Sequence, residues 1–127
     1  MQKQEAKVSP KVAKWFFSVI PKSCPLEIKH TRGENYFNIY ELKEHQKNYL
    51  LAATTKKGFY FKIPDQGYSF LPCDYVHYKK AKSYVAIVYP TTVYAIEIRA
   101  LLQIKERTLS QEEAGRICSF KEKLRGL

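Results

Sequence analysis

Ser83-Tyr84-Val85-Ala86-Ile87-Val88-Tyr89 is the stretch that decides the architecture. Its nearly unbroken apolar character is that of a central strand covered on both faces, not of a strand with one wet face. Downstream, Pro90-Thr91-Thr92 marks a turn and Val93 to Ile98 a further strand. Ser110-Gln111-Glu112-Glu113 is a capping box, which opens a last helix expected to include Ile117, Phe120 and Leu124. Upstream, Phe59 to Ile63 reads as a strand closed by the turn signature Pro64-Asp65-Gln66-Gly67. After Pro72, Cys73 to Tyr78 alternates and turns at Lys79 to Lys82.

The first half of the chain carries helices and one short strand. Ser9-Pro10 has the form of a helix start, followed at helical spacing by Val12, Trp15, Phe16 and Val19 and stopped by Pro21. Leu26-Glu27-Ile28-Lys29-His30-Thr31 then alternates as a strand, ending at the polar turn Arg32-Gly33-Glu34-Asn35. A second helix is expected from about Asn38 to Ala53, with Ile39, Leu42, Tyr49, Leu50 and Ala53 on its apolar face. Gln46 falls at the centre of that face, with His45 on its flank. A polar side chain there either meets a buried partner or points into a site. Lys56-Lys57-Gly58 closes the helix with basic charge and glycine. The order helix, strand, helix, several strands, helix describes one α+β domain over residues 1–127, a mixed β-sheet flanked by helices.

Composition bounds the function. The chain has 127 residues, 45% hydrophobic and 14% aromatic, enough to bury a core of its own. No apolar run approaches the ~20 residues that span a bilayer, and the N-terminus has no signal-peptide pattern, so no membrane partner is expected. Three cysteines without framework spacing favour reduced thiols in a cytoplasmic setting. Lys and Arg number 22 against 12 acids, a formal net charge of +10 spread along the whole chain. Such a surface attracts polyanions by counterion release, which makes nucleic acid the leading partner.

Within the first strand, Glu27 and Lys29 share one face while Leu26 and Ile28 fill the other. A carboxylate beside an ammonium can hold a divalent cation and a water next to a phosphate. An ordinary half-exposed strand with an ion pair carries the same triplet. Glu97-Ile98-Arg99 is a rival triplet expected on one strand face, with the drawback that arginine stays protonated. Cys73 with His77 and Cys24 with His30 lack the paired close spacing of structural zinc.

Glu27-Ile28-Lys29 followed by His45-Gln46 on the next helix resembles the PD-(D/E)xK nuclease superfamily, in particular its small Holliday-junction-resolvase-like members. The runs Lys62-Ile63-Pro64-Asp65 and Leu71-Pro72-Cys73-Asp74, followed by an apolar strand, also look like phage or bacterial members of that kind. The resemblance covers Ser23 to about Leu101. It implies a restriction-endonuclease-like fold and a Mg²⁺- or Mn²⁺-dependent endonuclease acting on DNA, including branched recombination intermediates. A homodimer is implied too, since two symmetric cuts need two sites. Glu27 and Lys29 would be catalytic, with Gln46 bracing them. The superfamily's first aspartate precedes its Glu-x-Lys strand, and no acid lies between Pro21 and Glu27 here. Asp74, at the start of a strand behind Pro72, is the expected second metal ligand and catalytic acid.

Asp65 and Glu5 are further metal candidates. The superfamily often keeps an assisting Glu ahead of its first helix, and Asp65 lies in what also reads as a plain turn. For nucleic-acid contact the candidates are Arg32, His30, His45, Lys56, Lys57 and Lys62, with Lys79, Lys80 and Lys82 in the loops. Tyr36, Tyr60, Tyr68, Tyr75 and Tyr78 interleave them and, where exposed, could stack on unpaired bases. A basic binding module with an incomplete acid set is the alternative, and a charged inhibitor-like protein a third.

Overall fold

The computed structural model describes residues 3–20, 24–55, 59–61, 75–77 and 81–127. Helix α1 (Lys3–Val19) leads into strand β1 (Leu26–His30) and the short strand β2 (Tyr36–Asn38). A 3₁₀ turn (Ile39–Glu41) and helix α2 (Glu44–Thr55) follow, then β3 (Phe59–Phe61) and β4 (Tyr75–His77). The hairpin strands β5 (Tyr84–Val88) and β6 (Thr92–Glu97) precede α3 (Ile98–Leu102), β7 (Thr108–Ser110), α4 (Gln111–Ile117) and β8 (Phe120–Lys123).

The principal sheet is mixed, in the order β1-β5-β6-β8, with β1 parallel to β5 and the other pairs antiparallel. All five residues of β5 are buried, as its uninterrupted apolar sequence requires. The hairpin closes at Tyr89-Pro90-Thr91-Thr92, where Tyr89 N donates to Thr92 O at 2.9 Å. Alternation along β5 and β6 divides the core. Val85, Ile87, Tyr94 and Ile96 pack with Leu50 of α2, Leu101 of α3 and Ala114 of α4. Ala86, Val88 and Val93 face Val12 of α1, and Tyr84 and Ala95 face Phe16. Ala86 and Ala95 are direct cross-strand partners, and two methyl groups there leave room for the α1 side chains to sit close to the sheet.

Helix α2 is the element that positions the site, and it is tied down at its far end. The buried Ser83 hydroxyl donates to Leu50 O at 2.6 Å, and Ala81 N donates to Ala53 O at 3.0 Å. The side strand β2 pairs with β7, and Tyr89 Oη reaches across to Leu109 O at 2.7 Å, so the buried phenol has its partner.

Three expectations are corrected. Helix α1 does not start at Ser9-Pro10; it begins by Lys3, with Pro10 inside it and exposed, where water can stand in for the missing N–H. The second helix does not begin at Asn38. Phe37 is drawn into pairing with Leu109, and the Asn38 side chain caps Tyr40 N at 3.0 Å, so a strand and a 3₁₀ turn precede α2. The last helix stops at Ile117 instead of running to Leu124. Its capping box forms, Ser110 Oγ accepting from Glu113 N at 3.1 Å, but Phe120 pairs with Ala95 and completes the sheet as part of β8. An unpaired β6 edge over an apolar core would cost more than a helical turn gains.

Candidate functional site

Glu27 and Lys29 sit on β1 opposite Val85 and Ile87 of β5, on the sheet face covered by α2. A carboxylate at the margin of an apolar layer needs partners, and α2 provides two. Gln46 Nε2 donates to Glu27 Oε1 at 3.1 Å, and Tyr49 Oη donates to Glu27 Oε2. Gln46 and Tyr49 are three residues apart and therefore neighbours on one helix face. Gln46, 5% exposed, also has its Oε1 filled by Lys43 N at 2.9 Å, the reciprocal half of a capping box at the start of α2. With the oxygen committed to the helix start, the amide nitrogen is the end that faces Glu27.

Lys29 Nζ lies 4.0 Å from Glu27 Oε1. That is an ion pair but too long for a direct hydrogen bond, a separation that one water can bridge. The two side chains are 17% and 21% exposed, enough to reach solvent from a partly desolvated position. Each Glu27 oxygen accepts one of these bonds and keeps a lone-pair direction for another donor or a cation.

A cleft of about 330 Å³ opens beside Lys29, at the end of β1 where Arg32 and the 3₁₀ turn meet. Lys43, Tyr40 and Glu41 complete its polar wall, and Ile28 and His30 line it as well. Among the described residues β1 is an edge strand of the principal sheet, which is how side chains from both of its faces reach one cleft. The His30 ring itself turns towards α1, where Nε2 lies 2.8 Å from Ser9 Oγ. Arg32 is exposed and has φ +58°, in a turn whose Glu34 N donates to Thr31 O at 3.3 Å.

Of the residues expected from sequence, Glu27, Lys29 and Gln46 therefore come together, and Arg32 stands at the adjoining cleft. His45 follows Gln46 on α2, about 100° further round the helix, and is half-buried. Asp65, Asp74, Lys56, Lys57 and Lys62 lie outside the described residues, as do Lys79 and Lys80. Glu5 falls within α1, and its side chain is likewise outside what is described. Glu97 and Arg99 do not share a strand face as the rival reading required. Glu97 ends β6 and pairs with Lys82 at 3.9 Å, whereas Arg99 is in α3 and donates to Thr54 Oγ1 at 2.8 Å. The chain turns into α3 at Ile98, whose buried side chain joins the α2-side core and breaks the alternation.

Among the described residues no three His, Cys, Asp or Glu side chains group closely enough to hold a metal ion. Glu27 has the chemistry of one oxygen ligand for a hard cation; the side chains of Asp74, Asp65 and Glu5, the other acids expected at a metal, lie outside what is described. Sequence reasoning missed Tyr49 as a donor to Glu27 and Tyr40, Glu41 and Lys43 as cleft residues. The i, i+3 spacing of Gln46 and Tyr49 was the available signal for the first. No helix among the described residues is long and apolar enough to cross a membrane. Compared with models of protein families, with curated proteins and with solved structures, the chain matches none.

Proposed function

We propose that the chain is a Mg²⁺- or Mn²⁺-dependent endonuclease that recognises DNA by its backbone and hydrolyses a phosphodiester. The observation that carries the reading is the Glu27 carboxylate, oriented by Gln46 and Tyr49, with the Lys29 ammonium 4.0 Å away. In this reading Glu27 would contribute one ligand to the ion, and Asp74, Asp65 or Glu5 another. A bound ion would lower the pKa of a water and offset charge on the phosphate. Lys29 would orient the attacking water by hydrogen bonding and neutralise charge developing on phosphate oxygens. Gln46 and Tyr49 keep the carboxylate from turning towards Lys29 and collapsing the gap. Branched DNA as the preferred substrate, and a homodimer that cuts symmetrically, belong to the same reading through the resemblance to resolvase-like nucleases.

The test is cleavage of four-way and linear DNA with Mg²⁺ or Mn²⁺. Glu27→Gln and Lys29→Ala should each lower cleavage by about a hundredfold or more while junction binding changes by a few-fold. Cleavage by Glu27→Gln at the unmodified rate would overturn the assignment. A second reading, nucleic-acid binding without hydrolysis, is favoured by one observation: no acid lies between Pro21 and Glu27, where the superfamily's first aspartate would precede the Glu-x-Lys strand. Under it the unmodified chain binds DNA and cuts none of it, with or without metal.

A further inference from the structure

The geometry points to Tyr40 as a stacking platform for an unpaired base, with that nucleotide's phosphate held in the adjoining cleft by Lys29, Arg32 and Lys43. This inference rests on the nucleic-acid reading of the same site and adds what part of the DNA the site takes. Tyr40 is the most exposed of the large hydrophobic side chains among the described residues, at 69%, yet the turn that carries it is held by three hydrogen bonds. Asn38 Oδ1 accepts from Tyr40 N at 3.0 Å, and Ile39 N donates to Arg107 O at 2.9 Å. Leu42 N donates to Ile39 O at 3.0 Å. Ile39 and Leu42 are buried, so the turn that anchors them holds Tyr40 outwards.

One face of the ring is already occupied. The Arg107 guanidinium lies 5.3 Å from the ring centroid in a cation–π contact. That contact restrains the ring from one side, and an incoming base would take the other. Base stacking needs a π-surface held in orientation, which lowers the ordering cost of binding. The cleft beside it is lined by three cations and one carboxylate, that of Glu41, with Glu27 next to Lys29 behind it. Its volume, about 330 Å³, is at the small end of ligand sites and matches a single nucleotide better than a duplex. An aromatic plane bordering a cationic cleft is the combination that binds an unstacked nucleotide. A fully paired duplex offers the phosphate but no base face.

The experiment uses the full chain and DNA carrying 2-aminopurine, either in an unpaired position at a branch or inside an uninterrupted duplex of equal length. Binding should quench the unpaired probe and leave the paired probe unchanged. Tyr40→Ala should remove the quenching and weaken binding to the branched DNA by about tenfold, with duplex binding altered less than twofold. Tyr40→Trp should restore both signals, which separates stacking from a merely structural role. Equal binding of branched DNA by Tyr40→Ala and the unmodified chain would overturn the platform while leaving the nuclease reading intact. Failure of the unmodified chain to bind any DNA at low salt would overturn both.

Discussion

Gln46 donates to Glu27 at 3.1 Å while its carbonyl oxygen accepts the Lys43 amide at 2.9 Å, so one side chain both starts α2 and orients the carboxylate on β1. The site is thereby coupled to the local stability of the helix that frames it. A change at Gln46 acts on both at once.

Gln46→Ala leaves the Lys43 amide without its cap and Glu27 without a donor, which should destabilise the fold by about 1–3 kcal/mol. Gln46→Glu keeps an acceptor for Lys43 but sets a second carboxylate against Glu27. The glutamate variant should therefore be no more stable than the alanine variant near neutral pH, although it preserves the cap. Urea unfolding of the three proteins compares them directly. A glutamate variant as stable as the unmodified chain would show that the contact with Glu27 is unimportant.

Arg32 holds φ +58° and Gly33 holds φ +92° in the turn that closes the strand carrying Glu27. The left-handed region costs an L-residue about 1–2 kcal/mol, and glycine offsets part of that gain through its freer unfolded chain. Arg32→Gly should be about 0.5–1 kcal/mol more stable than Arg32→Ala and should weaken DNA binding, because the guanidinium leaves the cleft wall. Arg32→Ala should weaken binding to the same extent without the gain. Thermal melts beside DNA titrations measure both effects, and a glycine variant that melts no higher than the alanine variant would refute the strain argument.

Stability should fall on the alkaline side. Burial pushes up the Cys24 thiol, and it also raises Cys118, against which Lys121 and a backbone hydrogen bond act. Burial likewise raises the phenols of Tyr84 and Tyr89, with Glu97 and Cys24 adding to the first and Tyr94 to the second. All four are neutral when protonated, and the folded state holds their protons more tightly than the unfolded state does. Their contribution is complete below the ordinary values, 9.0 for the thiols and 10.0 for the phenols. It declines as pH rises through them, because the unfolded chain then binds fewer protons. Urea midpoints measured from about pH 8 to 10.5 should drop, with Cys24→Ala softening the early part of the decline. A midpoint that stays level across that range would contradict the desolvation argument.

The sequence alone determined those features in which one short stretch commits its own neighbours. The apolar run at β5 required a strand with both faces covered, and alternation in Leu26 to His30 put Glu27 and Lys29 on one side. Ser110 with Glu113 specified a helix start, and Gln46 on an apolar helix face signalled either a buried partner or a site. Tertiary structure decided what depended on distant chain. Phe120 became part of a strand because the β6 edge needed a partner, and Asn38 left the helix because Phe37 pairs with Leu109. It also decided that Gln46 and Tyr49 of α2 meet Glu27 of β1 across 19 and 22 residues of sequence, a placement fixed by docking of the helix on the sheet. Local periodicity records which way a side chain points; what it meets there depends on packing between segments that carry no trace of one another.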